Sequence, residues 1–116
     1  MSGRIVVSVI GAGGKMGTRV SNNLAKHPDS IDLRFCENSQ AGIAAIQARG
    51  FSVVSAESAV PESDIVVLAV PDVIIKKVSI GIVALMRPGA TLIILDPAAA
   101  VAKELALRDD CTFVVS

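Results

Sequence analysis

Four glycines lie close together near the start of the chain, in the segment VSVIGAGGKMG at residues 7–17. They are Gly11, Gly13, Gly14 and Gly17, and they follow an apolar run that is typical of a strand. Glycine inside a regular element costs roughly 0.5–1 kcal/mol relative to alanine, so such a cluster requires a reason. Small residues let a ligand approach the backbone, and the unpaired N–H groups at the start of a helix attract anions. The segment is therefore predicted to bind the phosphates of a ligand.

The spacing of the glycines departs from the strict G-x-G-x-x-G pattern, which would place its last glycine at Met16. The pattern G-x-x-G-x-x-G fits instead, with Gly11, Gly14 and Gly17 in a turn that is one residue longer. Met16 then begins the apolar face of the following helix, and Gly17 lets that helix pack closely on the sheet. Gly13 is left as a local turn residue.

An acidic residue, Glu37, follows Gly17 by twenty residues and ends the second apolar run. In dinucleotide-binding folds an acid at this place accepts the hydroxyls of the adenosine ribose and repels a 2′-phosphate. The acid therefore favours NAD over NADP as the cofactor. Asn38 and Ser39 could still donate hydrogen bonds to a phosphate, which leaves NADP open. The alternative interpretation makes Glu37 a solvated strand end and the glycines an ordinary turn.

Further candidate residues border this turn. Val70 and Pro71, in the segment LAVPD, are predicted to form an apolar wall of the cofactor crevice, while Asp72 is interpreted as a helix cap. Lys15 either contacts a phosphate or is solvated. The predicted cofactor-binding residues are Gly11, Gly13, Gly14, Lys15, Met16, Gly17, Glu37, Val70 and Pro71.

No residue is predicted to be catalytic or to bind a metal. The single histidine, His27, lies just before a proline at the end of the first predicted helix, far from the glycine turn. Cys36 and Cys111 are 75 positions apart and have no C-x-x-C spacing, so they are interpreted as free thiols.

The elements that position these residues alternate along the chain. Apolar runs rich in β-branched residues predict six buried strands at Ile5–Ile10, Ile31–Cys36, Phe51–Val54, Ile65–Val70, Thr91–Leu95 and Thr112–Val115. Helices are predicted at 14–26, 40–49, 73–86 and 98–107, whereas Pro61 permits only a short helical turn before the fourth strand. The order predicts an α/β Rossmann fold, a doubly wound parallel sheet with strand order 3-2-1-4-5-6 and helices on both faces.

The composition excludes several classes of partner. The chain has 116 residues, no net charge and no Trp or Tyr, which argues against nucleic acid and against an anionic membrane surface. No apolar run reaches the roughly 18–20 residues that span a bilayer. We expect one cytoplasmic domain.

The motifs GAGGKMG, Glu37, LAVPD and RPGATLIILDPAAA together resemble the N-terminal cofactor domain of the 6-phosphogluconate and 3-hydroxyisobutyrate dehydrogenase-like superfamily. The likeness extends to its bacterial phosphogluconate dehydrogenase-like members, some of which act on branched sugar acids such as apionate. The resemblance implies an NAD-dependent oxidoreductase for a small hydroxy or sugar acid.

The resemblance also implies a second, mostly helical domain that supplies catalytic residues and homodimer contacts. We expect residues 1–116 to be the dinucleotide-binding domain, with that second domain absent from this chain and the fragment alone inactive. The alternative is a non-catalytic, dinucleotide-sensing regulatory domain.

Overall fold

Five parallel strands form one sheet in the described part of the protein, which comprises residues 4–70, 72–94 and 111–115 of a computed structural model. They are β1 (Ile5–Ile10), β2 (Ile31–Cys36), β3 (Ile65–Leu68), β4 (Thr91–Ile94) and β5 (Thr112–Val115). Their order across the sheet is β2-β1-β3-β4-β5. The predicted α/β parallel sheet is confirmed, and its strand order reverses between β1 and β3.

The predicted strand Phe51–Val54 is wrong, so the described residues form five strands and not six. Only Val53 pairs with Phe35, through a single parallel bridge. Four residues separate the left-handed Gly50, with φ +87°, from Ser55, which caps the next helix. Within them the ring of Phe51 stacks on Phe35, with ring centres 4.5 Å apart. The Phe51 N–H donates to the carbonyl oxygen of Ile46 in the preceding helix at 3.3 Å, so its backbone is bonded to the helix end and not to a strand.

Four α-helices connect the strands: α1 (Lys15–Leu24), α2 (Gln40–Ala48), α3 (Ala56–Ala59) and α4 (Asp72–Leu85). A 3-10 turn at Val60–Glu62 follows α3, as Pro61 predicts. Asp72 is the first residue of α4, and its interpretation as a cap stays a prediction. The predicted helix at 98–107 lies outside the described residues. None of the described helices is long and apolar enough to cross a membrane.

Helices cover both faces of the sheet, as expected for a doubly wound fold. Along β3, Val66 and Leu68 belong to the core beneath α3 and α4, whereas Val67 belongs to the core beneath α1 and α2. This alternation follows from the two-residue period of a strand, and apolar residues at successive positions satisfy both cores.

Among the described residues, an apolar groove lies beside the second half of α1. It has a volume of about 230 Å³ and lies at the starts of β1, β2 and β3, away from the glycine turn. Its lining residues are all apolar: Ile5, Val7, Val20, Leu24, Ile31, Ile65, Val67 and Ile93.

Candidate functional site

The glycine turn begins where β1 ends and is fixed to the end of β2. The N–H groups of Gly11 and Ala12 both donate to the carbonyl oxygen of Cys36, at 2.9 and 3.1 Å. Gly11 has φ +82°, and a Cβ there would lie 2.5 Å from the carbonyl oxygen of Ala69. Both the backbone conformation and the close approach of β3 therefore require glycine at position 11.

Gly17 brings α1 onto this turn. A Cβ at Gly17 would overlap the carbonyl oxygen of Gly11 and lie 2.7 Å from the Cα of Ala12. Gly17 is buried, and the glycine that was predicted to let the helix pack closely on the sheet lies against the turn that follows β1.

Gly14 differs from these two glycines because its neighbours leave it room. It precedes α1 with φ −80°, a value open to any residue, and a Cβ there would meet only the Gly11 carbonyl oxygen, at 3.5 Å. Within the described residues, then, neither conformation nor packing demands glycine at position 14. The bare backbone leaves this surface of the turn accessible to a ligand.

The start of α1 presents uncompensated backbone N–H groups. In the described part of the chain no side chain caps this helix, and its first turn holds no acidic residue. Lys15 is exposed as the first helical residue, and Met16 is half-buried against the core beneath α1. The positive end of the helix dipole therefore faces the turn without a counter-charge from its own helix.

Glu37 lies directly on the glycine turn. Its Oε1 accepts the N–H of Gly13 at 2.9 Å, while its Oε2 accepts the N–H groups of Asn38 and Ser39 at 3.0 and 3.2 Å. The hydroxyl of Ser39 donates to the same Oε2 at 3.3 Å. Four donors thus hold the half-buried carboxylate in one orientation, and the predicted acid and glycine turn form one cluster.

Sequence reasoning missed Gly42, in the first turn of α2. A Cβ at Gly13 would overlap the Cα and the carbonyl group of Gly42, so the two backbones are in direct contact. Gly13 therefore does more than the local turn role that the spacing assigned to it. The signal that was available is a glycine three residues after the cap Ser39, where a helix gains nothing from it.

Val70 borders the turn from the side of β3. It is buried, and its Cγ1 lies 2.9 Å from the point where a Gly11 Cβ would be. The preceding residue, Ala69, donates its N–H to the carbonyl oxygen of Ile10 at 2.8 Å. Val70 is thus placed beside the glycines, and its role as an apolar wall stays a prediction. Pro71 lies outside the described residues.

The histidine and the two cysteines are the remaining candidate residues whose side chains could do chemistry. His27 is exposed beyond the last turn of α1, at the far end of that helix from the glycines. Within the described residues neither Cys36 nor Cys111 forms a disulfide, and burial raises the pKa of the Cys36 thiol to about 11. Among the described residues, no three His, Cys, Asp or Glu side chains are grouped as metal ligands.

Comparisons with known proteins agree with this geometry. The chain is 61% identical over 114 residues to a D-apionate oxidoisomerase of Blautia hydrogenotrophica, and 44% identical over 110 residues to a D-apionate oxidoisomerase of Pectobacterium atrosepticum. The matches cover 98% and 95% of the chain but only 40% and 38% of the relatives. The chain thus spans about 40% of the length of the curated relatives that it matches.

A solved structure shows the same fold. A semialdehyde dehydrogenase NAD-binding protein from Cupriavidus necator, in complex with calcium and NAD, superposes with a TM-score of 0.87 at 38% identity. The match covers 97% of this chain and 40% of that one.

The family match is equally extensive. Residues 2–110 match the profile of the acetohydroxy acid isomeroreductase NADPH-binding domain. The resemblance to a phosphogluconate dehydrogenase-like cofactor domain is confirmed. The chain belongs to the family of the acetohydroxy acid isomeroreductase NADPH-binding domain.

Proposed function

We propose that this chain binds NAD(H) through the glycine turn and Glu37, as the cofactor domain of an oxidoreductase that acts on a hydroxy or sugar acid. The observation that carries the proposal is the contact between the Glu37 carboxylate and the Gly13 N–H, at 2.9 Å. The contact supports the proposal because it brings an acid suited to ribose hydroxyls beside a turn suited to a pyrophosphate, the pairing used in dinucleotide recognition.

The residues present fit a dinucleotide. The uncapped start of α1 and the bare backbone of Gly14 suit a pyrophosphate, whose charge the helix dipole stabilises by roughly 0.3–1 kcal/mol per contact. The Glu37 oxygens suit the two ribose hydroxyls, and Val70 offers an apolar surface beside them. The bound cofactor supplies hydride transfer, while this chain binds and orients it.

The charge of Glu37 supports NAD as the preferred form. A 2′-phosphate would meet a carboxylate whose orientation four donors already fix, and the two like charges repel. The Cupriavidus necator relative was solved with NAD, which supports the same choice, whereas the family profile is named for NADPH.

The proposal extends to the substrate of the whole protein and to the location of its catalytic residues. The curated relatives are named D-apionate oxidoisomerase, which supports a branched sugar acid as the substrate of the whole protein. The relatives are about two and a half times as long as the matched region, which supports a second domain with the catalytic residues and the homodimer contacts. No observation on the described residues favours a regulatory sensor.

Calorimetric titration of the chain with NADH and NADPH tests this function. Hydrogen bonds to a charged group contribute about 1.5–3 kcal/mol, so NADH should bind at least about tenfold more tightly than NADPH, and Glu37→Ala should abolish the preference. Asp29→Ala, an exposed acid in the loop before β2, is the matched control and should bind like the unaltered chain. Failure of the unaltered chain to bind NADH would refute the proposal.

A further inference from the structure

We propose that Gly42 is a positioning residue of the dinucleotide site, whose missing side chain leaves the space that the Glu37 carboxylate needs to lie against the glycine turn. By fixing the carboxylate there, Gly42 sets the preference for NADH over NADPH. This inference rests on the function proposed above, because it concerns the same carboxylate.

The steric evidence is direct. A Cβ at Gly42 would lie 2.5 Å from both Cδ and Oε1 of Glu37, and 2.6 Å from its Cγ. Gly42 is a buried residue of α2, and its φ is not among the positive values of the described residues. The helical backbone would accept any residue there, and the three nearest atoms that a Cβ would meet all belong to the Glu37 side chain.

Hydrogen bonds connect Gly42 to the same cluster. The Oγ of Ser39 accepts the N–H of Gly42 at 3.0 Å and lies 3.3 Å from Oε2 of Glu37, to which it donates. The backbone of Gly42 also contacts Gly13, whose N–H binds Oε1 of Glu37. The first turn of α2 and the glycine turn thus enclose the carboxylate from two sides.

The obstacle to a larger residue is the end of a flexible side chain and not backbone. An alanine at position 42 would therefore displace the Glu37 carboxylate while leaving the fold intact. The displaced carboxylate loses the Gly13 N–H and no longer presents its oxygens beside the turn. NADH then loses its ribose contacts, whereas NADPH, which gains nothing from the carboxylate, does not.

The variant Gly42→Ala tests this expectation, with Gly81→Ala as the matched control. Gly81 is also a helical glycine, exposed in α4, and a Cβ there would meet nothing within 4 Å. Calorimetry should show NADH affinity about tenfold lower in Gly42→Ala, with NADPH affinity equal or higher, because the displaced carboxylate repels the 2′-phosphate less. Gly81→Ala should change neither. An equal loss for both cofactors, or no loss for NADH, would overturn the inference.

The double variant Glu37→Ala/Gly42→Ala isolates the contact. If Gly42 acts through the carboxylate, its replacement has no further effect once the carboxylate is gone, and the double variant binds NADH like Glu37→Ala alone. A further loss in the double variant would contradict the inference. Should Gly42→Ala alone fail to fold, removal of the carboxylate should restore the melting temperature, and a lack of recovery would also contradict it.

The two proposals fail differently in this experiment. If the unaltered chain does not bind NADH, the proposed function is refuted and this inference with it. If the unaltered chain prefers NADH and Gly42→Ala keeps that preference, only the role of Gly42 is refuted.

Discussion

The carbonyl oxygen of Gly11 lies so close to Gly17 that a side-chain carbon at Gly17 would overlap it. At Gly14, three residues earlier, the same oxygen lies 3.5 Å from the corresponding position, which is an ordinary contact. Glycine therefore occurs at these two positions for different physical reasons. Packing within the fold requires it at position 17, whereas at position 14 only the approach of a ligand would require it.

Alanine substitutions at the two positions should therefore have different effects on the free energy of unfolding. Gly17→Ala should lower the free energy of unfolding by roughly 1–3 kcal/mol, because the obstacle is backbone and α1 must shift. Gly14→Ala should lower it by no more than about 1 kcal/mol, the difference between the two residues as helix caps. Denaturation in urea measures both. Equal losses would mean that the packing of α1 on the turn does not depend on Gly17.

Lys15 either contacts a phosphate of the cofactor or is solvated, and a substitution distinguishes the two. It is exposed at the start of α1, where a phosphate of the cofactor is proposed to lie. If it contacts that phosphate, Lys15→Ala should weaken NADH binding by about twofold to fivefold at low salt, with a smaller effect at high salt. Lys26→Ala, an equally exposed lysine beyond the end of α1, should have no effect. Unchanged binding in Lys15→Ala would show that this side chain is solvated.

Arg49 joins α2 to the aromatic pair at the edge of the sheet. Its guanidinium carbon lies 5.2 Å from the ring centre of Phe51 and 5.7 Å from that of Phe35, and it donates to the Ser21 hydroxyl at 3.2 Å. Arg49→Ala should cost about 1–3 kcal/mol of unfolding free energy, and Arg49→Lys should recover only part of it because an ammonium cannot make the flat contacts. Arg19→Ala, on the exposed side of α1, is the control. Full recovery by lysine would argue against the stacking contribution.

Cys36 should make the protein sensitive to high pH. Burial, and secondarily the nearby Glu57 carboxylate, raises the pKa of its thiol from 9.0 to about 11. The unfolded chain therefore loses this proton at lower pH than the folded protein does, and stability falls as the pH rises from about 9 towards 11. The loss approaches about 2–3 kcal/mol for two pKa units.

The pH dependence of unfolding in Cys36→Ala isolates this contribution. Between about pH 8 and 10.5 the unaltered chain should lose stability more steeply than the variant. Native alkylation at pH 8 should modify the more exposed Cys111 well before Cys36. Parallel pH profiles for the two proteins would refute the role of Cys36.

Local patterns were sufficient for much of the fold. The glycine turn, the strands on each side of it and the acid at the end of β2 follow from spacing and apolar runs within about 35 residues. Phe51–Val54 shows the limit of such patterns, because an apolar run does not reveal that the Phe51 N–H bonds to the end of α2 and that only Val53 pairs with β2.

The candidate site shows a different limit. Spacing alone identified Gly11, Gly17 and Glu37, but it does not reveal that α2 returns to touch the turn. The contact between Gly13 and Gly42 joins residues 29 positions apart and depends on how α2 packs against the glycine turn. The glycine motif contains Gly13, but its contact residue Gly42 can be identified only from the folded structure.

The apolar groove and the glycine turn lie at opposite ends of α1, a helix of ten residues and so about 15 Å long. Val20 and Leu24 face the groove, whereas Gly14 and Lys15 begin the helix at the turn. Apolar packing at one end of this helix and proposed phosphate binding at the other thus involve separate residues.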